Sequence, residues 1–496
     1  MTTPLSQLSR RLFLAGLMAG PAASALGAPL DRSPVPRPRP ELRGRVADAA
    51  QLIEAAGLSG KFAFALVDVE TGTLLEAHKP LLGLAPASVA KSVTALYALD
   101  ALGPEFRFST RLIATGPVTG GRLEGDLVLA GGGDPTLDTD LLGDLAAQLK
   151  AAGVTEVRGR FLYHAGALPG LPAIDPGQPP QVGYNPAISG LNLNFNRVHF
   201  EWRRAAGGYA VTMDARARRY APQVGVARIH VVDRATPVYT YASNGGIDEW
   251  TVAQGALGAE GARWLPVRRP ALYCAEVFQT LARSHGIVLA TPQEVAGAPA
   301  GIQLGRIDSA PLAEILRGML KYSTNVTAEA VGLASTIARG ARPQSLAESG
   351  QAMTEWLQTR MGAHKARFVD HSGLGDASRL SPMELVRTLA IAAPEGRLRP
   401  LLKDIPIRDD AGRPQTGHPV EVSAKTGTLN FVSALAGYIG APGGRQMAFA
   451  MFSADEARRA RLGPEEMEHP PGGKAWISRS RALQQDFLRR WADLYA

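Results

Sequence analysis

Three short motifs lie far apart in this chain and carry complementary chemistry: Ser88-Val89-Ala90-Lys91, Ser323-Thr324-Asn325 and Lys425-Thr426-Gly427. Ser88 and Ser323 stand 235 residues apart, and Asn325 and Lys425 stand 100 apart. A fold that uses the three together must draw distant segments to one place. The first motif opens a helical run that begins near Pro86 and extends to about Leu102, and proline suits the first turn of a helix. Residues three apart share a helix face, so the Ser88 hydroxyl can sit beside the Lys91 amine. A serine hydroxyl is a poor nucleophile until a base takes its proton, and a neutral lysine amine can be that base. Burial and a neighbouring cation both favour the neutral form. In the second motif Ser323 can relay a proton, and Asn325 offers a donor and an acceptor to a substrate amide. In the third, a lysine and a hydroxyl on an edge strand can hold a carboxylate. Gly427 there lets a bound backbone approach closely.

Taken singly, each motif has a plain structural alternative: a surface pair on an ordinary helix, a helix cap, a turn entering a strand. Chance would supply roughly 0.4, 0.3 and 0.05 matches respectively in a chain of this composition, so no one motif decides. Their order, and the elements downstream of the third, weigh more. Lys425-Thr426-Gly427-Thr428 leads into FVSALAGYIG (431–440) and QMAFAMFS (446–453), two strands joined by APGGR. Trp476, Leu483, Phe487, Trp491 and Leu494 then recur at three- and four-residue spacing, predicting an amphipathic helix over 475–495 that packs on the last sheet.

The ordered set resembles the serine β-lactamases and penicillin-binding proteins. The long first gap resembles, within that superfamily, the D-alanyl-D-alanine carboxypeptidase/endopeptidase family, the class C low-molecular-mass penicillin-binding proteins. GDLVLAGGGDPTL (125–137), ISGLNLNFNRV (188–198), RPALYCAEVFQTLARSHGIVL (269–289) and VDHSGLGDASRLSP (369–382) are similar to stretches typical of that family. The likeness runs from about residue 45 to 453. It implies an α+β penicilloyl-serine transferase (transpeptidase-like) domain, a central antiparallel sheet flanked by helices, made of 41–105 and 301–496. A large, mostly β region, 106–300, would interrupt it. It also implies catalytic roles for Ser88, Lys91, Ser323, Asn325 and Lys425, and substrate binding by Thr426, Gly427 and Thr428. The Ser88 and Thr428 backbone N–H groups would form the oxyanion hole. Peptidoglycan stem peptides would be the substrate and β-lactams covalent inhibitors, with no cofactor or metal. Three departures stand out: 401–414 (LLKDIPIRDDAGRP) lacks the family's Gly-Thr-Leu, Thr324 replaces a commoner Asp, and 454–474 is a charged loop where relatives turn directly into the last helix.

Hydrophobic residues at 45% allow a sizeable core. The net charge of +8 does not indicate nucleic acid: residues 1–46 hold seven Arg and two acids, leaving +3 for the rest. Those first residues read as an address. Ser9-Arg10-Arg11, an apolar run to about Met18 and the small residues of PAASALGA (21–28) have the layout of a secretion signal of the twin-arginine type over 1–28. This predicts a periplasmic protein. PLDRSPVPRPRP (29–40) reads as an extended linker, whose arginines could touch anionic lipid weakly. One cysteine, Cys274, excludes an intrachain disulfide framework and reads as buried packing. None of the nine histidines forms HExxH, which argues against a zinc hydrolase. Two rivals keep the same fold: a β-lactam hydrolase, for which no motif places a deacylating glutamate, and a non-catalytic cell-wall binding protein, against which the intact serines and lysines speak.

Overall fold

The computed structural model describes residues 46–496. The predicted signal, the proline-arginine linker and the start of the first catalytic segment lie outside the described residues.

Strand β1, Lys61–Asp68, reads KFAFALVD and is buried at every position after the first. Successive side chains of a strand point to opposite faces. Here Phe62, Phe64 and Leu66 enter one core, while Ala63, Ala65 and Val67 enter another. The sheet must therefore be covered on both sides. It has six strands, adding β2 (Leu74–His78), β3 (Lys403–Asp404), β4 (Glu421–Leu429), β5 (Val432–Gly440) and β6 (Gln446–Ala454) in the order β3-β4-β5-β6-β1-β2. Every pairing is antiparallel. The helix Gly473–Tyr495 covers the phenylalanine face and buries Trp476, Leu483, Phe487, Trp491 and Leu494, the stripe read from the sequence. Phe64 and Phe487 meet with ring centroids 4.5 Å apart.

The alanine-rich face packs on helices. Ala90–Leu102 is apolar nearly all round and buries ten of its residues, which marks a central helix rather than a surface one. Leu312–Tyr322, Asn325–Ala338 and Leu346–Met361 surround it. The sequence periodicity over 310–338 reads as one run. In the structure Ser323 breaks it, with a left-handed backbone at φ +60°.

The segment between the two halves has its own apolar core. It holds a five-stranded sheet in the order Gln293–Glu294, Phe161–His164, Leu127–Ala130, Ser109–Ala114 and Ile302–Asp308, together with three smaller sheets. The boundary drawn at 300 falls early. Ile302–Asp308 pairs with Ser109–Ala114, so the chain returns to the central sheet's helices only after Asp308. The sequence predicts one helix in this region, near 270–284, and the structure has two. Pro270–Ser284 is accompanied by Thr139–Ala151, whose first turn is capped where the Asp138 side chain accepts from the Leu141 N–H.

Candidate active site

Ser88 lies in a single 3-10 turn, Ala87–Val89, that leads into Ala90–Leu102. Ala87 is held at φ +47°, a left-handed conformation that costs an alanine roughly 1–2 kcal/mol. Two glycines brace the strained turn. A Cβ on Gly427 would stand 2.9 Å from the Pro86 carbonyl oxygen and 3.1 Å from the Ser88 nitrogen, and one on Gly373 only 2.0 Å from the Ala87 oxygen. Only residues without side chains let strand β4 and the 370–375 segment close on the Ser88 turn from both sides.

Lys91 is wholly buried one turn along the helix. Its Nζ lies 3.1 Å from Ser88 Oγ, 2.7 Å from Asn325 Oδ1 and 2.7 Å from the Ser372 carbonyl oxygen. Burial holds its pKa below the ordinary lysine value, against an opposing pull from Glu329 and Asp370. A neutral amine has two hydrogens and one lone pair. Asn325 and Ser372 accept the two hydrogens, which leaves the lone pair for the hydroxyl of Ser88. Asn325 is fixed in turn, since its Nδ2 donates to the Tyr184 carbonyl at 2.9 Å.

Across the cleft, Lys425 Nζ donates to Ser323 Oγ at 3.0 Å and to the Thr426 carbonyl at 2.7 Å. Burial, with the charges of Lys91 and Lys403 adding, pushes its pKa down to about 6. Strand β3 pairs only with Ser423 and Ala424. From Lys425 onward that edge of β4 is therefore open, and an open edge is a template for an extended peptide. Ser88, Ser323, Asn325 and Thr428 line one cavity of about 1000 Å³. Thr426, Gly427 and Thr428 also border a second of about 500 Å³. All eight residues singled out in the sequence meet at this cleft. Thr324 is the N-cap of Asn325–Ala338 through its backbone, with no side-chain cap bond.

Other contributors carry no motif. Glu329 is fully buried and accepts from the N–H groups of His371 (3.0 Å) and Ser372 (2.8 Å). Asp370 accepts from Gly373 and Gly375. These bonds hold the 370–375 turn so that the Ser372 carbonyl meets Lys91. Burial and the nearby Asp370 raise the Glu329 pKa. Glu329 lies four residues beyond Asn325, so its position on the same helix face is the one sequence signal that could have found it. Two of the three departures in the sequence flank the cleft. Met467–Pro470 and Gly472–Lys474, from the charged loop and the start of the last helix, wall the larger cavity opposite Ser88, and Lys403–Pro406 with Arg408 line the smaller one.

A family model described as D-Ala-D-Ala carboxypeptidase 3 (S13) matches residues 45–468. The chain belongs to this family. It is a serine-type D,D-peptidase of peptidoglycan. Among similar proteins, carboxypeptidase Rv3627c of Mycobacterium tuberculosis is 29% identical over 471 residues, 87% of each chain. The D-alanyl-D-alanine carboxypeptidase of Actinomadura sp. is 27% identical over 454 residues, covering 84% of this chain and 82% of that one. The crystal structure of penicillin binding protein 4 from Haemophilus influenzae superimposes with a TM-score of 0.70 at 20% identity, over 88% of this chain and 99% of that one. That likeness shows the same α+β transpeptidase-like fold.

Proposed function

We propose that Ser88 attacks the carbonyl carbon of the penultimate D-Ala of a stem peptide while Lys91 Nζ takes its proton. The Ser88 and Thr428 N–H groups hold the oxyanion, a contribution worth roughly 3–4 kcal/mol per donor elsewhere. The C–N bond then breaks as Ser323 and Lys425 pass that same proton from Lys91 to the leaving D-Ala amine, which returns Lys91 to its neutral state, and Asn325 keeps the acyl chain in place. Water hydrolyses the Ser88 ester and restores the hydroxyl. Thr426 and Thr428 bind the terminal carboxylate against the open edge of β4. A penicillin enters as a mimic of the dipeptide and remains on Ser88. The observation that carries the reading is the set of three contacts at Lys91 Nζ, which leaves a neutral amine no partner for its lone pair but Ser88.

Ser88→Ala is expected to lose both labelled-penicillin attachment and D-Ala release, and labelling that persists would move the nucleophile elsewhere. Digestion of purified muropeptides separates the activities: loss of one D-Ala from monomers means carboxypeptidase action, and dimers split to monomers mean endopeptidase action. We include both. Export to the periplasm and weak contact of the 29–40 arginines with a membrane surface rest on the sequence of the first 40 residues.

A further inference from the structure

The cleft has one feature that the motifs do not supply. Lys474, Ile477, Ser478 and Arg481, spaced i, i+3, i+4 and i+7, form a single stripe of the terminal helix along the larger cavity. The opposite stripe of that helix carries the core residues, so the helix that covers the central sheet also faces substrate. Arg481 stands where the two cavities meet, bordering both. Its Nη2 donates to Thr428 Oγ1 at 3.3 Å. Arg481 is exposed and makes no ion pair among the described residues. The other arginine of the larger cavity, Arg459, is occupied: its Nη1 donates to the Asn430 carbonyl at 3.2 Å and its Nε lies 3.9 Å from Asp376, while of the arginines on the smaller cavity Arg408 donates to the Gly412 carbonyl and Arg489 pairs with Asp410 and Asp486.

A terminal carboxylate needs more than hydroxyls. Thr426 and Thr428 can donate to it but bring no charge. Lys425 is buried, and its Nζ is directed at Ser323 and at the Thr426 carbonyl. Burial also drives its pKa to about 6, so it is mostly uncharged at neutral pH before substrate arrives. A guanidinium stays charged at every working pH and presents paired donors that match a carboxylate.

We propose that Arg481 is the cation that binds the terminal carboxylate of the substrate, in a fork shared with the Thr428 hydroxyl. This rests on the D,D-peptidase reading of the same cleft and adds the residue that selects a free carboxyl end. The carboxylate leaves with the D-Ala, so the contact exists in the ground state and in the acylation transition state alike. Such uniform binding sets KM and leaves kcat nearly untouched.

The test compares an N-acyl-D-Ala-D-Ala dipeptide with its C-terminal carboxamide, on the wild type, Arg481→Gln, Arg481→Lys and Lys474→Gln. Wild type is expected to favour the acid through KM. Arg481→Gln is expected to raise KM for the acid by roughly ten- to hundredfold, the scale of a charge-assisted hydrogen bond, with kcat and the amide's KM little changed. Arg481→Lys should recover part of the loss. Lys474→Gln removes the other cation of the same stripe, one with no bond to Thr428, and is expected to lower the acid preference far less than Arg481→Gln does. An undiminished preference in Arg481→Gln overturns the inference, as does an equal fall in Lys474→Gln, which would point to a diffuse field. A wild type that releases no D-Ala from the acid defeats the peptidase reading instead, so the two failures can be told apart.

Discussion

In the proposed mechanism Lys91 serves as a base only while it is uncharged, a state that burial favours and that Glu329 and Asp370 oppose. Burial lowers its pKa, and the Lys425 pKa falls to about 6 with Lys91 as one of the causes. As pH falls these amines take up protons and the Ser88 hydroxyl loses its acceptor. The acylation rate with a labelled penicillin is therefore expected to rise with pH from 5 upward, its midpoint below the free-lysine value. Lys91→Arg, permanently charged, should stay unacylated across the range, and a flat wild-type profile would remove Lys91 as base. Burying Lys425 also has a cost in stability whose sign is set by linkage. The unfolded chain protonates this lysine at its ordinary 10.5, the folded one at about 6. Above 10.5 neither state binds the proton and there is no penalty. Between 10.5 and 6 only the unfolded state binds it, so stability declines as pH falls through that window and levels off below 6. Lys425→Met is accordingly expected to abolish turnover yet gain stability relative to wild type, by roughly 1–3 kcal/mol at pH 7 and by less at pH 10. Denaturant titrations at the two pH values decide it, since an equal difference at both would show that the lysine is not buried neutral.

At the scale of elements, the site depends on how closely strand β4 approaches the turn that carries Ser88. Gly427→Ala forces a methyl group against the Pro86 carbonyl and the Ser88 nitrogen. The expected result is a displacement of the strand and a loss in acylation rate of about a hundredfold, the usual effect of misplacing a reacting group by an ångström, with the fold retained by circular dichroism. An unimpaired rate would mean that the approach is not needed. Elements with a strong local pattern were legible in the sequence: the hairpin Val432–Gly440 and Gln446–Ala454, and the aromatic stripe of Gly473–Tyr495. Thr139–Ala151 was not, because it sits among Gly/Pro-rich loops whose texture reads as β, although Asp138 supplies a cap signal. The end of the inserted region was misplaced for a different reason. Ile302–Asp308 belongs to it only by pairing with Ser109–Ala114, almost two hundred residues earlier, and no local pattern reports a partner at that distance. The break at Ser323 was hidden because Leu312–Tyr322 and Asn325–Ala338 continue one apolar period across a single left-handed residue.

For the molecule as a whole, the motif residues that meet at the cleft were legible and their supports were not. Ser88, Lys91, Ser323, Asn325 and Lys425 stand in short motifs, whereas Glu329, Asp370 and the Tyr184 carbonyl act through contacts that exist only after the chain has closed on itself. The same holds for the cleft's outer wall. The charged stretch 454–474 reads in sequence as a solvated loop, yet Glu468 reaches the inserted region, accepting from Arg263 Nη2 at 2.6 Å and Gln181 Nε2 at 2.9 Å. Arg263 and Glu468 are each about three-quarters buried, at 27% and 25% side-chain exposure, so the pair is screened less than a surface ion pair. It ties the wall to the region that supplies Gln178 and Tyr184 to the same cavity. Removing either partner should loosen that wall. Arg263→Ala and Glu468→Ala are each expected to raise KM for stem peptides while leaving penicillin, a smaller ligand confined to the Ser88 end, acylating at close to its normal rate. In a double-mutant cycle on thermal stability the pair should couple by about 1 kcal/mol, the upper range for an ion pair that is not fully buried. Additive losses, or KM values that do not move, would show that the wall stands without this tie. The inserted region would then meet substrate through Gln178 and Tyr184 alone.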